Sequence, residues 1–210
     1  MDLTINSDSV KVQKDNPKSK LFEKSEFKDI SPNLECKYYS LDDLKGLDNN
    51  NRNLSIYHNN FNGLENKHDH LLEFLEYVDN KFDLVTITET SEKYNHGGFL
   101  SNVELHGFNL FSTPTTSNKG GTAIYVRNTF DSLERTDLKI MNNNFETTWI
   151  EIKNKKSKKN ICGTFYRHPR EDLKSFQSFI NYLESILFTI TKENKEIYIT
   201  GDFNIDLLKH

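Results

Sequence analysis

The sequence predicts an α/β protein built from layers of helix and sheet. Two apolar strands, LSIYH at residues 54–58 and LVTIT at residues 84–88, flank one amphipathic helix, as in a βαβ unit. The strands TTWIEI and ICGTFYR are joined by the polar tip KNKKSKKN and predict an antiparallel hairpin. Apolar residues at helical spacing over residues 173–190 predict a long amphipathic helix that covers a sheet.

The remaining elements follow in chain order. Leucines at helical spacing predict a helix over residues 70–78, and the section after the second strand reads as loop as far as Lys119. Gly120-Gly121 introduces the strand TAIYVR, and Pro169 ends the strand ICGTFYR. A last strand carries the chain to Asp202. We expect Trp149 and the many phenylalanines to fill the core between sheets.

The chain falls into three segments by composition. Residues 1–35 are rich in lysine and acids, hold no glycine and show little apolar periodicity, which predicts disorder. Residues 36–53 contain a short helical stretch around 41–47 and an asparagine-rich turn, which predicts a lead-in or linker. The folded domain is therefore predicted to run from residue 54 to residue 210.

Composition restricts the class of protein. A net charge of −4 excludes a chain that binds nucleic acid through bulk positive charge, so phosphate binding has to be local. Cys36 and Cys162 lie far apart and the histidines have no ligand spacing, so neither a disulfide framework nor a zinc site is indicated. No apolar run is long enough for a membrane span, and the N-terminus is too polar for a signal peptide. We expect an intracellular monomer, in the nucleus or the cytoplasm.

Two acids stand where α/β proteins usually build their sites. Glu89 and Asp202 each follow the carboxyl end of an apolar strand. Two carboxylates at one sheet edge indicate Mg²⁺, a hard ion that needs only one or two protein carboxylates besides water and substrate phosphate. The alternative is that both acids simply cap turns, and the pattern alone does not decide between the two.

Other polar residues also follow strands. Asn60 and Asn204 could orient a water, a phosphate oxygen or a carboxylate, or could serve only as turn formers. Tyr166 and Arg167 end another strand and suit contact with a phosphodiester. We predict nucleic-acid contacts for Arg167 and for Lys119. The lysine run of residues 153–159 is predicted to be a solvated hairpin tip, with contact to a DNA backbone as the alternative.

Six blocks occur in a specific order: SIYHNNFNGL, LVTITET, GGTAIYV, ETTWIEI, GTFYRHP and YITGDFN. This order resembles the endonuclease/exonuclease/phosphatase superfamily. More narrowly, with the lead-in CKYYSLDDL, it is similar to the apurinic-type endonuclease domain of non-LTR (LINE-type) retrotransposons. The resemblance implies a DNase I-like sandwich of two sheets flanked by helices, in four layers αββα.

The resemblance also implies roles for individual residues. Asn60 and Glu89 match the first-strand asparagine and the metal-binding glutamate, and the resemblance implies that both lie at the metal. Tyr166 matches the tyrosine that contacts the scissile phosphate. Asp202 matches the aspartate that positions the attacking water, and Asn204 matches its phosphate-side neighbour. The implied chemistry is Mg²⁺-assisted hydrolysis of a DNA phosphodiester, with a reverse transcriptase domain encoded downstream.

One departure limits this expectation. The family's domain continues past GDFN to a closing Ser-Asp-His block that this sequence does not contain, and His210 falls too soon after GDFN to match that histidine. The resemblance therefore predicts a C-terminally truncated domain that nicks DNA poorly or not at all. A phosphatase of the same superfamily and a non-catalytic remnant with weak nucleic-acid binding remain as alternatives.

Overall fold

The computed structural model describes residues 37–47, 54–94, 98–153, 159–170 and 172–205. The predicted disorder of residues 1–35, the centre of the lysine-rich hairpin tip and His210 lie outside the described residues. The chain divides into two units, residues 1–39 and 40–210. Of the first unit the structure describes residues 37–39, which are exposed and in neither helix nor strand.

The described helices and strands alternate along the second unit. The helices are α1 (Leu41–Gly46), α2 (His68–Tyr77), α3 (Phe99–Asn102) and α4 (Leu173–Thr191). The strands are β1 (Ile56–Asn60), β2 (Leu84–Thr88), β3 (Phe108–Thr113), β4 (Thr122–Arg127), β5 (Asp131–Glu134), β6 (Ile140–Met141), β7 (Phe145–Lys153), β8 (Asn160–Arg167) and β9 (Glu196–Asp202).

Two sheets contain the described strands. The first has the order β1-β2-β4-β3, in which β1 and β2 run parallel and β4 runs antiparallel to both of its neighbours. The second has the order β5-β7-β8-β9, with β6 also paired to β7. Strands β7 and β8 form the predicted antiparallel hairpin, and β9 lies parallel to β8.

Helices cover the outer face of each sheet. Leu71 and Leu75 of α2 pack on the first sheet against Val85 and Ile87 of β2. The second sheet is covered by α4, whose buried residues are grouped with apolar residues of β7 and β8: Phe145, Trp149, Ile161, Phe165, Phe179, Ile186 and Ile190. Helix α4 begins where the Asp172 carboxylate accepts a hydrogen bond from the Ser175 N–H, the usual N-cap arrangement.

The two sheets meet face to face through a third apolar cluster, which includes Leu84, Ile124, Ile150 and Cys162. The architecture is therefore the predicted four-layered αββα sandwich. One expectation about its core is wrong, because Trp149 does not lie between the sheets. Side chains alternate along a strand, so Ile150 faces the first sheet while its neighbour faces α4.

The section expected to be loop as far as Lys119 contains α3 and β3, and this expectation is corrected. Strand β3 pairs along its whole length with β4, from Phe108 opposite Arg127 to Thr113 opposite Thr122. Its side chains are mostly half-buried, so the sequence shows only a weak alternation. Such a strand forms because it pairs with a buried neighbour, and its own local propensity is not sufficient.

The predicted lead-in helix α1 is attached to the domain. The Lys81 ammonium donates to the backbone carbonyls of Leu44 and Lys45, both at 2.6 Å, at the C-terminal end of the helix. The Tyr77 hydroxyl donates to Asp42 near its start. Cations stabilise helix C-termini, so Lys81 adds a charged donor to carbonyls in the last turn of the short helix.

Candidate active site

The ends of three strands and the turn after a fourth bring four of the predicted side chains together. Asn60 ends β1 and lies beside Thr88, the last residue of β2, so Glu89 follows next to it. Tyr166 and Asp202 are paired neighbours on β8 and β9. Since β1 and β2 belong to one sheet and β8 and β9 to the other, the cluster spans the sandwich at one end.

The amide of Asn60 joins the two predicted acids. Its Nδ2 donates to Glu89 Oε1 at 2.9 Å and to Asp202 Oδ2 at 2.8 Å. Its Oδ1 accepts from the backbone N–H of Asn62 at 3.2 Å, which fixes the orientation of the amide. Two carboxylates within hydrogen-bond distance of one nitrogen make a strongly anionic pair of oxygens with a single shared donor.

The turn that carries Glu89 is shaped by backbone bonds to both neighbouring loops. Glu89 has a φ of 53°, which is uncommon for a residue with a side chain, and its carbonyl accepts from Gly63 N–H at 2.7 Å. On the other side, Ser91 N–H donates to the Gly120 carbonyl at 2.9 Å. A Cβ at Gly121 would lie 2.3 Å from Thr90 Oγ1, so the second glycine of GGTAIYV allows this close approach.

Tyr166 is buried beside the two acids, with 1% of its surface exposed. Burial raises the pKa of its phenol, and the Glu89 charge with a hydrogen bond between the two side chains raises it further. The negative charges of Asp202 and Glu146 act in the same direction. The phenol is therefore neutral at pH 7 and remains a hydrogen-bond donor next to Glu89.

The GDFN turn is held by the end of strand β8. Asn204 N–H donates to Asp202 Oδ1 at 3.1 Å, and Asn204 Nδ2 donates to the Arg167 carbonyl at 2.7 Å. Gly201 has a φ of 149°, and a Cβ there would lie 2.2 Å from the Phe165 carbonyl oxygen. Only glycine lets β9 come this near to β8 with that backbone, so Gly201 sets the position of Asp202.

The two residues predicted to contact nucleic acid lie in different environments. Arg167 is 3% exposed, and its guanidinium donates to the carbonyls of Asn204 at 3.0 Å and Arg170 at 2.7 Å. This geometry gives Arg167 a part in holding the GDFN turn. Lys119 is exposed in the loop before Gly120. For both residues, contact with nucleic acid stays a prediction.

Comparison with known proteins decides the family. A family model described as Endonuclease/Exonuclease/phosphatase matches residues 48–208, which is more than half of the chain. The chain belongs to this family. A comparison with curated proteins found no match.

Solved structures share the fold of this family member. The endonuclease domain of TRAS1, a telomere-specific non-LTR retrotransposon, has a TM-score of 0.53 at 15% identity, covering 74% of this chain and 61% of that one. The catalytic domain of Xenopus laevis APE2 gives 0.53 at 17%, covering 72% and 59%. A mannosyl-6-phosphatase from Bacteroides thetaiotaomicron gives 0.51 at 15%, covering 74% and 67%. The chain thus spans about three fifths of the length of the first two.

The donor set of this family member fits a hard cation. Glu89 and Asp202 supply carboxylate oxygens, which Mg²⁺ prefers, and one or two such ligands suffice when water and phosphate complete the shell. Asn60 presents its Nδ2 to the acids, and an amide nitrogen does not ligate Mg²⁺, so this orientation suits it for holding the carboxylates. The implied contact of Asn60 with the metal stays a prediction. Among the described residues, no group of three or more His, Cys, Asp or Glu side chains forms a metal cluster.

The sequence reasoning missed how the sandwich interior becomes polar toward the site. Every second side chain of a strand faces the space between the sheets. Along each of three strands these inward side chains change from apolar to polar toward the site. The steps are Leu84, Thr86 and Thr88 on β2, Cys162, Thr164 and Tyr166 on β8, and Tyr198, Thr200 and Asp202 on β9. Threonines link the sheets midway, with Thr200 Oγ1 donating to Thr86 Oγ1 at 3.0 Å. Comparing every second residue of LVTIT and of GTFYR would have revealed this change from apolar to polar side chains.

A buried acid and histidine next to Tyr166 were also missed. Glu146 is fully buried and pairs with Tyr166 across β7 and β8. Its Oε1 lies 3.0 Å from His168 Nε2 and accepts from Thr115 Oγ1 at 2.8 Å. The ring of His168 stands edge-on to the Tyr166 ring, with centroids 5.1 Å apart. The sequence held little signal for this pair, because Glu146 stands in the strand FETTWIEIK beside two threonines and ahead of a second acid, Glu151.

Proposed function

We propose that this chain hydrolyses DNA phosphodiester bonds with Mg²⁺, as the endonuclease domain of a non-LTR retrotransposon that also encodes a reverse transcriptase. The observation that carries the proposal is the Asn60 amide, which holds the Glu89 and Asp202 carboxylates at one point of the sandwich. The similarity in fold to the TRAS1 endonuclease domain and to the AP endonuclease from Leishmania major supports a nucleic-acid substrate.

Each residue has a distinct part in the proposed reaction. Glu89 would hold the cation, and Asp202 would orient the attacking water and accept its proton as the water oxygen bonds to phosphorus. The bond from phosphorus to the 3′ oxygen then breaks, and that oxygen takes up a proton from solvent to leave a 3′-hydroxyl. The neutral phenol of Tyr166 has one donor hydrogen, and in the proposed reaction it would turn that hydrogen from Glu89 to a phosphate oxygen. Asn60 keeps the two carboxylates in place, and Asn204 stands beside the phosphate. When bound, Mg²⁺ supplies charge that offsets the negative charge growing on the phosphate.

A supercoiled-plasmid nicking assay tests the proposal. The chain is compared with Glu89→Gln and Asp202→Asn at enzyme excess, in Mg²⁺ and in EDTA, with Glu184→Gln on the exposed side of α4 as the matched control. We expect slow nicking that needs Mg²⁺, falls by about 10²-fold or more in both site variants, and persists at the same slow rate in the control. Rates are compared among variants of this chain only.

Other outcomes would favour the alternatives. Absence of Mg²⁺-dependent nicking by a folded chain would contradict the proposal and favour a non-catalytic remnant. Hydrolysis of sugar phosphates without nicking would favour a phosphatase, in line with the mannosyl-6-phosphatase from Bacteroides thetaiotaomicron that shares the fold. Nicking that survives both site substitutions would move the reaction away from Glu89 and Asp202.

A further inference from the structure

A groove between β1 and α2 opens directly beside the candidate active site. It has a volume of about 340 Å³, and Asn60 is one of its lining residues. The same asparagine bridges Glu89 and Asp202, so the groove and the two carboxylates share a wall. A ligand whose phosphodiester lies at the carboxylates would therefore extend into the groove with its next unit.

The charge of the groove is opposite to that of the site. Its ionisable lining groups are Lys67, His70 and Tyr57, and none of the carboxylates in the described part of the chain lines it. Burial raises the pKa of the Tyr57 phenol, so that group is neutral at pH 7. Lys67 Nζ donates to the Phe61 carbonyl at 2.6 Å, and an ammonium has three donor hydrogens, so it can hold a phosphate oxygen as well. A phosphodiester strand suits this lining.

The floor of the groove is aromatic. Tyr57 and Phe74 are half-buried, with ring centroids 4.6 Å apart and planes 30° apart. Asn59 is exposed above them, and its Nδ2 donates to the Tyr57 hydroxyl at 2.9 Å. Nucleobases stack on aromatic rings, and the amide of Asn59 carries a further donor hydrogen and an acceptor oxygen.

We propose that this groove binds the nucleotide next to the cleaved phosphodiester, with its base against Phe74 and Tyr57 and its phosphate at Lys67 and His70. The inference rests on the proposed function, because it assumes a nucleic-acid substrate. It adds a subsite that would favour strands carrying bases over a bare sugar-phosphate backbone and would tune the choice of cleavage position.

Equilibrium binding in EDTA tests the subsite without any hydrolysis. Fluorescein-labelled dT₁₂ is compared with a twelve-unit abasic tetrahydrofuran-phosphate strand of equal charge. We expect the chain to bind dT₁₂ about tenfold more tightly than the abasic strand. Phe74→Leu should bring that ratio to about one and leave abasic binding unchanged. Lys67→Met should weaken both ligands equally and reduce the salt slope by about one.

Two controls match these variants. Phe188→Leu and Lys174→Met change an exposed phenylalanine and an exposed lysine on α4, and both should leave the tenfold ratio and the affinities unchanged. Because Phe74 also packs on Tyr57, a second measurement uses the unsubstituted chain. A strand carrying 5-iodouracil is photo-crosslinked and the modified peptide is mapped, with the β1 or α2 peptide that contains Tyr57 or Phe74 expected.

The results separate this inference from the proposed function. Equal binding of both strands, no binding at all, an unchanged ratio in Phe74→Leu, or crosslinks that map elsewhere would each overturn the subsite. A base preference of the expected size in a chain that does not nick would retain the groove and overturn the hydrolytic function. Nicking without any base preference would retain the hydrolytic function and overturn the subsite.

Discussion

Asn60 and Asp202 are separated by 142 positions in the sequence, and the amide nitrogen of one donates to a carboxylate oxygen of the other at 2.8 Å. The first ends β1 in one sheet and the second ends β9 in the other. The contact therefore depends on the correct packing of the two sheets. The same amide also holds Glu89, so one side chain links the two carboxylates of the proposed site.

Replacing Asn60 with alanine should lower the nicking rate strongly and change the stability of the domain little. The two carboxylates would lose their shared donor and separate, and a displacement of about 1 Å at a reacting group can cost about 10²-fold in rate. We expect a loss of that size in plasmid nicking with a urea midpoint close to that of the parent. Asn109→Ala, an exposed asparagine on β3, is the control. Equal rates in both variants would contradict the bridging role.

Gly201→Ala should destabilise the domain. The new Cβ would lie 2.2 Å from the Phe165 carbonyl oxygen at a φ of 149°, and strain of this type costs about 1–3 kcal/mol. The measurement is the free energy of unfolding in urea. Gly46→Ala is the matched control, because a Cβ there meets nothing within 4 Å. Similar unfolding free energies for both variants would show that β9 can move away from β8 without cost.

An ion-pair network lies near the starts of β8 and β9, away from the candidate site. It should make the free energy of unfolding depend on pH in the acidic range. The Arg135 guanidinium, which bonds Glu193 at 2.8 Å, holds the pKa of that carboxyl below its usual range. Glu151, which Lys195 and Lys159 contact, also has a lowered pKa because these ammonium groups outweigh its burial. A lowered pKa contributes stability above the unfolded value of about 4.3, and the contribution is lost as pH falls through the folded value.

The measurement for this network is the urea midpoint between pH 7 and pH 3. We expect the parent chain to lose stability below about pH 4.3, and Glu193→Gln to start lower and to fall less steeply over that range. Glu184→Gln should follow the parent, since Glu184 is exposed on α4. A Glu193→Gln curve parallel to the parent at every pH would refute the linkage.

Cys162 should be unreactive in the folded protein. It lies between the sheets, and burial raises the pKa of its thiol to about 12, so almost no thiolate forms at pH 8. In a Cys36→Ser background, labelling by a thiol reagent should be slow and should speed up in urea together with unfolding. Rapid labelling in buffer alone would mean that the sandwich opens locally near β8.

The long periodic elements could be predicted from sequence, and the edge elements could not. The predicted strand at residues 84–88 agrees with β2, and α4 extends one residue past the predicted helix at 173–190. Strand β3 was read as loop because it is half-buried and depends on β4 for its order. Short segments without a strong period carry little local information, so their state is decided by tertiary pairing.

In the candidate site, too, the local features could be predicted and the tertiary contacts could not. Acids that follow strands were visible in the sequence, and so were the turns GDFN and TET. What the sequence could not supply is the set of contacts that join distant strands. Arg167 is a clear case, since its position at a strand end is visible in the sequence, whereas the hydrogen bonds from its guanidinium to the carbonyls of Asn204 and Arg170 are not. Burial of Glu146 beside His168 likewise needs the second sheet and the loop at Gly120.

The most direct measurement of the central claim is Mg²⁺-dependent nicking at enzyme excess by the parent chain, Glu89→Gln, Asp202→Asn and the variant with both substitutions. If the two carboxylates act as one unit on a phosphodiester, each single substitution removes nearly all of the nicking and the double variant loses little more. Independent losses that multiply in the double variant, or nicking that continues in both single variants, would contradict the account.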